Sequence, residues 1–174
     1  EHELAIDERK VHMEENMIIT ISRQYGSGGS QVAKILAERM GVWCYDRDIL
    51  TIAAERIGNE ELTEDTINDL NYKRNDVASA GITGVMGMGN IPIYNQMFLE
   101  QAKIIRKLAN YGSAVFLGRC ADYILKDIKN CTSVYLYADR EFRKNRVKEI
   151  YGSNAEIMDK EEKNRADYYN YYTG

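Results

Sequence analysis

The sequence predicts an α/β protein, a parallel sheet flanked by helices, and three observations carry that prediction. Short apolar runs rich in β-branched residues alternate with longer segments of helical periodicity. The first run passes through a glycine-rich turn directly into an amphipathic helix. Helices separate each strand from the next, which implies parallel pairing through right-handed crossovers.

Residues 1–16 are highly charged and read as a helix or an appended arm, with Met13 as a native start and residues 1–12 as an addition. The first strand is Met17–Ser22. Val32, Ile35, Leu36 and Met40 follow at helical spacing, with Ala33 and Ala37 alongside, and Gly41 ends that helix. Val42–Tyr45 is a short second strand, and Asp46-Arg47-Asp48 leads into a helix over 48–57. Residues 60–76 are polar and helical in pattern. The segment 79–92 holds Gly81, Gly84, Gly87, Gly89 and the chain's only proline, and reads as a flexible loop or a lid over a substrate. Met97, Phe98, Ile104, Ile105 and Leu108 give the helix at 93–110 a core face. Ser113–Leu117 is the third strand, 120–128 a short helix and Thr132–Tyr137 the fourth strand. Two charged, tyrosine-rich helices at 139–151 and 155–172 complete the chain.

The turn Arg23-Gln-Tyr-Gly-Ser-Gly-Gly-Ser30 is the most chemically specific stretch. A dinucleotide fingerprint, G-x-G-x-x-G/A with an acidic residue some way on, finds Gly26, Gly28 and Asp46 but meets Gln31 at its third glycine. A phosphate-binding loop fits more of the surroundings. Gly26, Gly28 and Gly29 let backbone N–H groups approach an anion, and Ser30 stands at the first turn of the helix where a Mg²⁺-binding hydroxyl belongs. The pattern G-x-x-x-x-G-K-[ST] has a lysine where this chain has Gly29. A tight turn without a ligand is the simpler alternative.

Composition narrows the functions. Hydrophobic residues at 44% and charged residues at 29% are ordinary for a globular domain. A net charge of −4 argues against a general nucleic-acid or anionic-membrane binder. No apolar run nears the roughly 20 residues of a membrane span, and the N-terminus is too charged for a secretory signal. Cys44, Cys120 and Cys131 lack C-x-x-C spacing and read as buried reduced thiols of a cytoplasmic protein. His2 and His12 both lie in the polar N-terminal segment, which leaves histidine chemistry improbable.

Four motifs in order, Ile21–Ser30, Tyr45-Asp-Arg-Asp48, Phe116-Leu-Gly-Arg-Cys-Ala-Asp-Tyr123 and Arg165–Gly174, resemble the cytidylate kinase-like family of nucleoside monophosphate kinases. The resemblance runs from Met17 to the end. It implies a P-loop kinase core, a substrate insert, an arginine-bearing lid, and transfer from ATP to CMP or dCMP with Mg²⁺. Members of the family continue to a further strand, so the domain at 17–174 is expected to lack its last one. Carried over by position, Gly26, Ser27, Gly28 and Ser30 match the phosphate loop, with Gly29 in the lysine position and Arg23 in the first glycine position. Asp46 aligns with the aspartate ending the second strand. Arg47 and Ile52 replace the serine and arginine that hold CMP. Gly118-Arg119 matches the pair whose arginine contacts the monophosphate. Arg143 and Arg146 match the start of the lid, and Asp159 and Arg165 match parts of its later pattern, with Met158 and Glu162 at two other positions.

Phosphoryl transfer asks for positioning and charge neutralisation. Arg140, Arg143 and Arg146 are spaced by three and share a helix face; a solvated basic face paired with Asp139, Glu141 and Glu149 is the competing reading. Arg119 leaves a strand end, where ligands collect in open α/β sheets. Arg23 is positioned to reach back toward the missing lysine's place. Tyr25 either covers the nucleotide or braces the loop. Tyr168, Tyr169, Tyr171 and Tyr172 read as packing of a terminal helix against the core or a neighbouring subunit, as in a homodimer, ahead of a base-stacking platform.

Overall fold

The structure is a computed structural model, and it describes residues 16–49, 51–52, 93–152 and 155–174. The charged arm at 1–15, the helices expected at 53–57 and 60–76, and the glycine-rich segment 79–92 lie outside the described residues. Strands β1 (Ile18–Arg23), β2 (Trp43–Tyr45), β3 (Ala114–Leu117) and β4 (Cys131–Leu136) form one sheet in the order β2-β3-β1-β4. Every pairing is parallel. The helices are α1 (Gly29–Met40), α2 (Ile93–Tyr111), α3 (Ala121–Ile124), α4 (Arg140–Tyr151) and α5 (Ala155–Thr173). Residues 48–49 and 51–52 are also helical.

β3 is buried at every position, as a strand covered on both faces must be. Its alternation divides the core. Ala114 and Phe116 face a cluster containing Ile18, Met97, Ile105, Leu125 and Tyr168, while Val115 and Leu117 face Ile21, Ala33 and Ala37. Helix α1 therefore covers one side of the sheet, and α2, α3 and α5 contribute to the other. Because the strands are parallel, the loops after β1, β2, β3 and β4 all leave the same carboxyl edge.

Three expectations need correction. In α1 the buried face is Ala33 and Ala37, with Leu36 and Met40 half-buried; Val32 and Ile35 are more than two-fifths exposed. Small residues let the helix sit close to β3, which turns the larger pair outward. Of the three free cysteines only Cys120 is buried, and Cys44 and Cys131 are half-buried. The helix expected over 120–128 shortens to Ala121–Ile124: left-handed φ values of 72°, 60° and 55° at Gly118, Arg119 and Cys120 hold its start to Ala121, and at its other end the chain leaves the helix at Leu125 and turns, with Ile128 N donating to Leu125 O.

Candidate phosphate site

The loop between β1 and α1 is fixed at both ends. Gln24 N donates to Leu136 O at 2.9 Å, and Ala138 N donates to Gln24 Oε1 at 3.2 Å, which ties the ends of β1 and β4 together. Ser27 closes the turn by donating through Oγ to Gln24 O at 2.8 Å. Gly26, at φ 80°, has no room for a side chain: a Cβ would stand 2.8 Å from Val147 Cγ2 and 2.9 Å from Arg143 O, so α4 packs directly on the loop. Gly28, at φ 86°, is the N-cap of α1 and offers no side-chain acceptor. The first N–H groups of that helix, at Gly29 and Ser30, have no intrahelical partner by geometry. An anion is the natural complement of such a terminus.

Helices α4 and α5 hold this loop from outside. Tyr25 N donates to Glu162 Oε2 at 2.6 Å, and Arg143 donates through Nη1 to Tyr25 O and through Nε to Ala138 O, each at 3.2 Å. Glu162 and Arg143 also pair at 3.7 Å, with side chains 31% and 11% exposed. Arg165 lies with its guanidinium 5.0 Å from the Tyr25 ring centre, and its Nη1 approaches Arg23 O at 3.5 Å. Tyr25 meets Tyr151 at 5.8 Å between ring centres. Burial raises the Tyr25 phenol above its ordinary value, Glu161 and Tyr151 add to the shift and Arg165 opposes it, so the hydroxyl remains protonated near neutrality.

A cavity of about 470 Å³ opens at this point, floored by Gly26, Gly28, Gly29 and Ser30. Arg23, Lys34, Arg146 and Arg165 line it against a single carboxylate in the lining, Glu38. Arg146 is oriented by a 2.7 Å hydrogen bond from Nη2 to Gln31 Oε1, and its guanidinium passes 3.4 Å from where a Gly28 Cβ would stand. Arg23 carries a side chain only 9% exposed, with Nη2 4.0 Å from Asp46 Oδ1.

The structure thus brings Arg23, Tyr25, Gly26, Gly28, Gly29, Ser30, Arg146 and Arg165 to one cavity, and places Asp46 behind Arg23. Ser27 shapes the turn without lining the cavity, and Arg143 braces the loop from its outer side. Three further expected residues lie outside the lining. Arg119 is 4% exposed and close enough to Tyr168 to act on its ionisation, Arg47 is exposed, and Asp159 pairs with Arg140 at 2.6 Å on the surface. Sequence reasoning missed Lys34, Ile35 and Glu38, although with Gln31 they recur at i, i+3, i+4 and i+7 and so extend one face of α1 from Ser30. It named Glu162 only as a departure from a pattern, and no local signal marks it as the acceptor for a loop 137 residues away.

Among the described residues no group of three or more His, Cys, Asp or Glu side chains gathers to hold a metal. Magnesium in phosphoryl-transfer sites takes few protein oxygens and completes its shell with phosphate and water. Ser30, at the cavity floor, fits that modest demand. No described helix is long and apolar enough to cross a membrane.

A model of the cytidylate kinase-like family matches residues 18–174. Among solved structures the chain is similar to an uncharacterized protein from Eubacterium ventriosum, at 29% identity and a TM-score of 0.62, covering 90% of this chain and 77% of that one. It shares its fold with a gluconokinase from Sinorhizobium meliloti, at 15% identity and a TM-score of 0.51, over 86% of this chain and 74% of that one. The same holds for TT1252 from Thermus thermophilus, at 19% identity and a TM-score of 0.54, over 86% and 80%. No curated protein matches the sequence. With the glycine loop, the parallel sheet and a family match over nearly the whole length, the chain belongs to the cytidylate kinase-like family.

Proposed function

We propose that the protein is a nucleoside monophosphate kinase that transfers the γ-phosphoryl group of ATP to CMP or dCMP in the presence of Mg²⁺. The observation that carries this reading is the cavity in which the uncapped N-terminus of α1 meets Arg23, Arg146 and Arg165. Backbone N–H groups of Gly26, Gly28, Gly29 and Ser30 bind the donor phosphates, with Ser27 shaping the turn between them, Ser30 supplies one oxygen to Mg²⁺, and the arginines neutralise charge on the transferring group. Magnesium, when bound, offsets phosphate charge and fixes the phosphate conformation. Arg119, Asp46 and Arg47 are assigned to the acceptor side at the ends of β3 and β2, and Asp159 to the lid. Arg143 serves by holding the loop carbonyl of Tyr25.

A second reading is a nucleotide-binding regulatory module with little turnover. It is favoured by one feature, the glycine at position 29 in place of a phosphate-binding lysine.

The test is to incubate the protein with Mg·ATP and, in turn, CMP, dCMP, UMP, AMP and GMP, and to measure ADP formation. The expected outcome is acceptor-dependent ADP formation with CMP or dCMP foremost. ATP binding without turnover on any acceptor would overturn the kinase reading in favour of the regulatory one. Turnover confined to another acceptor would keep the enzyme and remove the cytidylate assignment.

A further inference from the structure

We propose that Arg23 and Gly29 are one functional unit, in which the arginine supplies from the first position of the loop the charge that the usual pattern places at the seventh. Gly29 is the vacancy that admits it. The inference rests on the phosphate-site reading above and names the residue that completes it.

Three observations carry it. A Cβ at Gly29 would stand 2.6 Å from both Cβ and Cγ of Arg23, so the arginine stem occupies the space that any side chain at position 29 would need. Gly29 has no positive φ to explain its identity and sits in the first turn of α1, where alanine is ordinarily the better helix former. Its constraint is therefore steric, and its source is Arg23. The guanidinium then crosses the carboxyl edge of the sheet. A Cβ at Gly118 would collide with Arg23 Nη1, while Nη2 lies 4.0 Å from Asp46, so the group spans the ends of β1, β3 and β2.

That is where a donor on the β1–α1 loop and an acceptor at β2 and β3 would meet. The third observation concerns what the guanidinium lacks. Its side chain is 9% exposed, and among the described residues its carboxylate partner, Asp46, stands at a loose 4.0 Å and its Nε is buried with no hydrogen-bond partner. A buried guanidinium so weakly paired is costly in isolation and calls for a further anion. A phosphoryl oxygen supplies one, in a geometry a guanidinium fork suits.

In the reaction, the bond from the γ-phosphorus to the β–γ bridging oxygen breaks and its electron pair leaves with ADP. A new P–O bond forms to an ionised oxygen of the acceptor monophosphate. Arg23 keeps its protons throughout and contributes only charge and donors.

The experiment is a thermodynamic cycle of R23G, G29A and R23G/G29A, with R23A as a second truncation of the arginine, read by calorimetric affinity for the non-hydrolysable analogue AMP-PNP and for ADP, with melting temperature as the check on folding. R23A is expected to weaken AMP-PNP by roughly ten- to hundredfold, the range of a charge-assisted hydrogen bond, and ADP by clearly less. G29A is expected to do the same by displacing the arginine. The double variant R23G/G29A should be no worse than R23G alone, because with the Cβ of residue 23 also gone the added methyl meets nothing. The exchange R23G/G29K, which restores the common pattern, should recover AMP-PNP affinity that neither single substitution retains. R23K, which keeps the charge, should lose less than R23A and serves if R23A fails to fold.

Retained AMP-PNP preference in R23A, or additive losses in the cycle, would overturn this inference while leaving phosphate binding intact. Absence of nucleotide binding in the unmodified protein would instead overturn the kinase reading and this inference with it.

Discussion

At the scale of single residues, the phosphate loop depends on a carboxylate that is distant in sequence. Glu162 accepts the Tyr25 N–H and pairs with the largely buried Arg143, which in turn donates to Tyr25 O. Removing the carboxylate leaves a loop N–H and a guanidinium short of partners. E162A is expected to cost about 2 kcal/mol of unfolding free energy, and E162Q about half as much because its amide oxygen can still accept from Tyr25. Urea titration of the two variants measures both, and equal stability of E162A and the unmodified protein would refute the bracing role. The glycines and Ser30 could be read from the sequence because the loop's chemistry is local. Glu162 could not, since its role exists only once α5 lies against the loop, and Arg119 was placed at the right strand end without any signal that its side chain would be buried beside Tyr168.

At the scale of elements, the apolar runs and their spacing located the four strands and the described long helices to within a residue or so, even though β2 and β4 have no fully buried position. It failed on α1 for a definite reason. Hydrophobicity favours Val32 and Ile35 as core, whereas close packing on β3 selects Ala33 and Ala37. The tyrosines of α5 were legible as packing, and Tyr168 and Tyr172 do pack on the core of this chain, while Tyr169 and Tyr171 are exposed. Tyr172 stacks on Phe98 at 3.9 Å between ring centres, meets Tyr168 and Tyr171 edge-on, and its hydroxyl lies 3.3 Å from Asn95 Oδ1. Y172A is expected to cost about 2–4 kcal/mol through lost ring contacts, and Y172F about 0.5–1.5 kcal/mol through the lost hydrogen bond. Chemical denaturation separates them. Similar losses for both would mean that the hydroxyl, and not the ring, anchors α5.

At the scale of the whole molecule, stability should decline on the alkaline side. Burial pushes the Cys120 thiol from 9.0 up to about 12, and burial together with the hydrogen bond to Asp122 pushes the Tyr169 phenol from 10.0 to about 12. Burial also raises the Tyr168 phenol well above its ordinary range. Folded, these groups keep protons that the unfolded chain releases. Their contribution is complete below pH 9 and is lost as pH rises toward 12, at no more than about 1.4 kcal/mol per pH unit for each of the buried groups and less for the partly exposed Tyr169, which water screens. The melting temperature is therefore expected to fall from about pH 9 upward, and C120A to flatten the early part of that fall. An unchanged slope in C120A would count against the buried thiol as a source.

One helix joins these scales. α5 holds the phosphate loop through Glu162 and Arg165 near its middle, and the aromatic pack on α2 through Tyr168 and Tyr172 near its end. Along its 19 residues it spans about 28 Å as a single rod. A rod fixed at two places transmits a shift at one to the other. Substitutions that alter the tyrosine pack are therefore expected to be felt at Tyr25 and Arg23, the loop residues that the middle of the rod holds.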